Sequence, residues 1–167
     1  MFESTKQKTI SYIVFSIYLI LLTWLVLFKF AINLSELPSI RGINLIPFHY
    51  SLETNAHLKE VLYNIVVFVP LGVYVQLFRE NGKISTKCLV VFLASLLFEV
   101  VQFIFAIGAS DITDIIGNTL GGIFGILFCI IMKKIASKKF ISIINALGMF
   151  IEFVAIGLLV FLLIANR

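Results

Sequence analysis

Cysteine, proline and charge are all scarce in this sequence, and each shortage excludes a class. Two cysteines in 167 residues cannot build a disulfide scaffold, and neither belongs to a Cys-x-x-Cys pair or has histidine at ligand spacing. Both sit in apolar runs, Lys87-Cys88-Leu89-Val90 and Leu127-Phe128-Cys129-Ile130, and read as small buried hydrophobes. Three prolines and ten glycines exclude collagen and low-complexity disorder. Only 13% of the residues are charged, about half the share of a soluble domain. A large soluble catalytic domain is thereby excluded.

What is present is hydrocarbon. Hydrophobic residues make up 60% of the chain and its mean hydropathy is +1.09. A spanning helix takes about 20 apolar residues, so a chain of this length holds about five. The fold expected is all-α, a bundle of five transmembrane helices forming one membrane domain over residues 1–167. The apolar runs place the helices at about 10–32, 61–78, 88–107, 113–132 and 140–165, with one long polar loop at 33–59. The first run is longer than a signal-peptide core and has no small-residue cleavage site behind it. The second contains Pro70, where a kink is expected.

The 13 Lys and Arg against 9 Asp and Glu lie in the connectors, where they set orientation rather than bind nucleic acid. Placing the N-terminus and the turns at 79–87 and 133–139 on one side collects nine of them and leaves Lys29, Arg41, Lys59 and Arg167 opposite. By the positive-inside rule the N-terminus is inside, the C-terminus outside and the 33–59 loop extracellular.

That orientation, drawn from Lys and Arg alone, brings several polar residues to similar depths in the outer half. Glu99 lies roughly 16 Å along the third helix from Cys88, on one face with Gln102. Asp111, Asp114 and Asn118 follow a single stripe at the start of the fourth helix, and Asn64 stands in the first turn of the second. A carboxyl near the bilayer midplane faces a cavity or a partner, which makes Glu99 the leading candidate. Asp111 and Asp114 also suit helix capping, and Asn64 and Gln102 also suit hydrogen bonding between helices. Arg41, in the outer loop, can grip a phosphate or carboxylate in bidentate fashion, or merely contact lipid headgroups. Gly117-x-x-x-Gly121-x-x-x-Gly125 is a small-residue groove for helix packing. No metal or cofactor is expected: His49 and His57 lack a His-Glu-x-x-His frame, and no phosphate-loop lysine follows the glycines.

Four ordered motifs carry a resemblance. They are Leu25-Val26-Leu27-Phe28-Lys29; Asn44-Leu45-Ile46-Pro47-Phe48; the stretch from Asn64 to Gly72 with Pro70-Leu71-Gly72; and Ser95 to Phe103 followed by Asp111-Ile112-Thr113-Asp114-Ile115-Ile116-Gly117-Asn118. From about Tyr12 to Lys139 the chain resembles the VanZ family of small membrane proteins. Many members have an arginine before the first aspartate, where this chain has Gly108-Ala109-Ser110. The resemblance implies a multi-pass cell-membrane protein of a Gram-positive bacterium that confers resistance to glycopeptide or lipoglycopeptide antibiotics of the teicoplanin type. Its partners would be membrane lipids, with a lipid-linked peptidoglycan precursor or the antibiotic itself at the outer leaflet. Arg41, Asn44, Asn64, Gln102 and Asn118 are then candidate binding residues. Were the protein instead an enzyme acting on a lipid-linked diphosphate, Glu99 would be the general base or acid and Asp111 and Asp114 would bind Mg²⁺ to the diphosphate or activate water. A binding or shielding role is preferred to that reading and to a small proton-coupled transporter.

Overall fold

The computed structural model describes residues 2, 4–28, 40–48, 54–135 and 139–165. The expected end of the first helix (29–32), the loop stretches 33–39 and 49–53 with His49, and Lys138 lie outside these residues. Five helices are long and apolar enough to cross a membrane: α1 (Thr5–Phe28), α2 (Thr54–Phe78), α3 (Ile84–Phe105), α4 (Ile112–Ile135) and α5 (Phe140–Ala165). The protein is a multi-pass membrane protein. Two short strands join them, β1 (Ile40–Asn44) and β2 (Ile107–Asp111).

Three helix starts differ from the hydropathy reading, and α1 begins at Thr5 rather than near residue 10. α2 begins at Thr54, because the polar residues ahead of Val61 are good enough helix formers to add two turns, and α3 begins at Ile84. The 33–59 segment is therefore strand and helix in its described parts, not loop alone. α2 runs on through Pro70 without interruption.

The chain divides into two compact units, Leu37–Ile131 and the paired segments Met1–Glu36 and Met132–Arg167. In the first, β1 and β2 pair in parallel, Asn44 opposite Asp111 and Arg41 opposite Gly108. Parallel strands need a crossover, and the α2–α3 hairpin supplies it by leaving and returning to the same end. α3 stops at Ala106, which takes a left-handed conformation (φ 55°) and donates its N–H to Gln102 O and Phe103 O, a helix C-terminus of the left-handed type.

The glycine groove receives α2. A Cβ at Gly121 would collide with the Ile65 carbonyl and one at Gly125 with the Val69 carbonyl, while at Gly117 it would lie 3.4 Å from Asn64 Cβ. The partners Val61, Ile65 and Val69 follow the same period of four, so two backbones run in contact along a row of missing side chains. Gly122 turns to α3, where a Cβ would strike Val91. Between α2 and α3, Phe68 and Phe98 meet edge to face at 6.0 Å. Lys87 is 2% exposed and donates to Gln76 Oε1 at 2.7 Å and to the Glu80 carbonyl at 3.0 Å, closing the short turn.

In the second unit α1 and α5 lie side by side in parallel. Asn145 Nδ2 donates to Ser11 Oγ at 2.8 Å, and one turn nearer their starts Gln7 Nε2 donates to Ser142 Oγ at 3.2 Å. Buried Ser11 and Asn145 thus satisfy each other inside apolar helices. In the first unit Cys129 is buried, Cys88 is half-buried and both are free.

Candidate functional site

The polar residues gather where the sheet meets the ends of α3 and α4, and Asp111 is the centre of the arrangement. Its Oδ2 accepts from Asn44 Nδ2 at 3.0 Å, tying β2 to β1. Its Oδ1 accepts from the Thr113 N–H at 2.7 Å, the N-cap bond that satisfies an otherwise free donor at the start of α4. Its own N–H donates to Glu99 Oε2 at 3.0 Å. Next to it the Ser110 hydroxyl donates to the Glu99 carbonyl at 2.8 Å. Glu99 is 3% exposed and so anchors the reversal of chain between α3 and α4. Asn44 Oδ1 accepts from the Ile46 N–H at 3.1 Å, an Asx turn, and Thr113 Oγ1 accepts from the Phe48 N–H at 3.1 Å.

The stripe read along the fourth helix divides in three. Asp111 belongs to β2; Asp114 Oδ1 accepts from Asn64 Nδ2 of α2 at 2.7 Å; and Asn118 donates to Ser95 Oγ of α3 at 3.0 Å. α4 carries contacts to both neighbours, so residues one turn apart reach different helices. Asn64 stands about three turns into α2, since that helix starts early, yet still meets the first turn of α4. Asn118 is 1% exposed and its Oδ1 has no partner among the described residues. Gln102, also buried, lies under β2, with Nε2 3.8 Å from where a Gly108 Cβ would be. Arg41 donates from Nη2 to the Ile104 carbonyl at 3.1 Å, at the end of α3, and its guanidinium lies 5.6 Å above the Phe103 ring.

Ser95, Ser110 and Thr113 are the participants that a search for titratable groups passes over. Ser95 is legible afterwards, one helical turn before Glu99 on the same face. No group of three His, Cys, Asp or Glu side chains among the described residues is placed to hold a metal ion.

A cavity of about 250 Å³ lies beside this network, walled by Ile43, Leu96, Val100, Phe103, Ile112 and Ile115, with Asn44, Glu99 and Asp111 also against it. Its surface is almost wholly apolar. The polar atoms are turned toward one another, and what they leave facing the space is carbon.

Comparison with known proteins agrees with these motifs. Residues 15–133 match the VanZ/LLP1 family, a stretch from within α1 to near the end of α4 that contains the whole site. The chain is 39% identical over 161 residues to Protein VanZ of Enterococcus faecium, covering 94% of this chain and 92% of that protein. No solved structure matches it significantly. By the match to its family and by this relative, the chain belongs to the VanZ family.

Proposed function

We propose that the protein confers resistance to glycopeptide antibiotics of the teicoplanin type. In this reading it acts without catalysis at the outer leaflet of the cell membrane, by binding or shielding a lipid-linked cell-wall precursor. Family membership and the similarity to Protein VanZ of Enterococcus faecium support the resistance role. The nine-to-four distribution of basic residues supports an outer position for the sheet.

The observation that carries the non-catalytic part is how the carboxylates are used. Both Asp111 oxygens accept structural hydrogen bonds, and Glu99 accepts the Asp111 peptide N–H. A general base needs an oxygen directed at the proton it removes; the use of Glu99 Oε2 and both Asp111 oxygens on the fold supports a holding role for them. The network holds two strands and a helix start around an apolar cavity, which suits holding a lipid.

The test is expression in a susceptible Gram-positive host. A higher teicoplanin concentration for inhibition, with less labelled antibiotic on the cell surface, is the expected result. Unchanged susceptibility with the protein inserted in the membrane overturns the resistance role. Conversion of a lipid-linked precursor by purified protein and Mg²⁺, followed by mass spectrometry, overturns the non-catalytic part.

A further inference from the structure

The cavity beside β1 is an open apolar groove, and its volume suits one slender chain. Pockets for drug-sized molecules occupy roughly 300–1,000 Å³, and a cavity of about 150 Å³ holds one benzene. At about 250 Å³ the space takes a length of one hydrocarbon chain.

Its position supplies the head. Side chains alternate along a strand, so Arg41 shares a face of β1 with Ile43, which lines the cavity. Arg41 also stacks on Phe103, another lining residue. Arg41 is exposed, and among the described residues its Nη2 is the guanidinium nitrogen held, on the Ile104 carbonyl. Leu45, Ile46 and Phe48, just beyond β1, are 71%, 59% and 54% exposed. Arg41 holds the Ile104 carbonyl at the end of α3, a helix of spanning length, and the end of such a helix lies at headgroup level.

We infer that Arg41 and this cavity form one binding site for a lipid carrying a single hydrocarbon chain on a phosphate, the chain in the cavity and the phosphate on the guanidinium. The inference rests on the proposed function, since a lipid-linked cell-wall precursor is a lipid of this kind. The division of labour follows from the solvent. A chain already in the bilayer gains no hydrophobic energy by moving into an apolar cavity, only dispersion contacts. Affinity therefore comes from the charge-assisted fork of Arg41 to phosphate, and the apolar groove favours a slender chain beside it.

The full chain, reconstituted in phosphatidylcholine nanodiscs, is titrated with a polyprenyl monophosphate, the matching polyprenyl alcohol and a diacyl phosphatidylglycerol, with bound lipid counted by native mass spectrometry. The monophosphate should bind about tenfold or more tighter than the alcohol, the ratio a charge-assisted hydrogen bond supplies, and tighter than the diacyl lipid. Arg41→Gln should remove the advantage over the alcohol, with Arg41→Lys keeping part of it. Leu96→Trp, which fills the cavity, should weaken the monophosphate while Arg41 is intact. Equal binding of phosphate and alcohol, or an unchanged affinity in Arg41→Gln at the wild-type unfolding temperature, overturns the site. Diacyl lipid bound as tightly as the monophosphate overturns the single-chain selection. The selectivity as stated, in a protein that leaves teicoplanin susceptibility unchanged, upholds the site and overturns the resistance role. Resistance without any lipid selectivity does the reverse.

Discussion

Glu99 and Asp111 are twelve residues apart and joined at the backbone: the Asp111 N–H rests on the Glu99 carboxylate at 3.0 Å. Non-helical chain is tolerated at membrane depth only where its polar groups find partners inside the protein. Glu99 provides two of those partners, its side chain for Asp111 and its carbonyl for the Ser110 hydroxyl. A buried carboxyl in α3 is in this way the condition for a strand following it. Its residue type looked like chemistry in the sequence; in the fold it holds the turn that positions Asp111, and through Asp111 it holds β1.

The orientation can be checked without a structure. If the nine basic residues lie inside, as the positive-inside rule expects, an alkaline phosphatase fused after Ala165 should be active, and fusions at Gly82 and Lys139 inactive. The opposite pattern would move the sheet, Arg41 and the cavity to the cytoplasmic face and remove the outer-leaflet reading with them.

Gly121 should be among the least replaceable residues of the bundle. A Cβ there meets the Ile65 carbonyl, part of a backbone that cannot rotate away as a side chain could. Overpacking in a close-packed interior costs about 1–3 kcal/mol and sometimes more. Gly121→Ala should therefore lower the unfolding temperature in detergent, and Gly121→Leu should lower abundance in the membrane, while Ile123→Leu leaves both near wild type. Equal stability of Gly121→Leu and Ile123→Leu would contradict the groove.

The helices and the glycine groove could be read from the sequence because both are periodic and local. Runs of apolar residues long enough to span hydrocarbon, and glycines at a period of four, need no knowledge of the rest of the chain. The strands could not. Ile40-Arg41-Gly42-Ile43-Asn44 and Ile107-Gly108-Ala109-Ser110-Asp111 are five residues each, without clear alternation. They exist because the α2–α3 hairpin brings them together. For the site, the candidate residues were visible by type, and the Asp111 cap by its place before a helix. Which residue meets which was not, because Asp114 and Asn118 share a helix face by spacing but reach α2 and α3. Lys87 was read as an orientation charge, and its burial depends on the Gln76 and Glu80 acceptors that the turn alone brings within reach.

Lys87 gives a prediction of its own. Buried and donating to Gln76 Oε1 and the Glu80 carbonyl, it satisfies the end of α2. Hydrogen bonds to charged groups contribute about 1.5–3 kcal/mol, so Lys87→Met, similar in length and unable to donate, should destabilise by roughly that amount. Thermal unfolding in detergent measures it. Lys83→Met, at an exposed position four residues away, should have little effect, and a similar loss in both variants would show that charge at the turn matters rather than the buried contacts.

The carboxylates offer the sharpest separation between holding the fold and performing chemistry. Glutamine at position 99 keeps a carbonyl oxygen for the Asp111 N–H, and asparagine at position 114 keeps one for Asn64 Nδ2. Glu99→Gln and Asp114→Asn should accordingly leave both abundance and teicoplanin resistance near wild type. Glu99→Ala leaves a buried peptide N–H without this acceptor, at a cost of about 1–3 kcal/mol, and frees the strand that carries Asp111. It should lose resistance together with thermal stability, and Asp114→Leu should do the same through Asn64. The measurements are teicoplanin susceptibility at matched expression and unfolding temperature in detergent for all four variants. Should Glu99→Gln and Asp114→Asn abolish resistance in a protein that is inserted, abundant and as stable as wild type, ionisation itself would be required. The carboxylates would then be acting on a proton, and the catalytic or transport readings would replace the binding one.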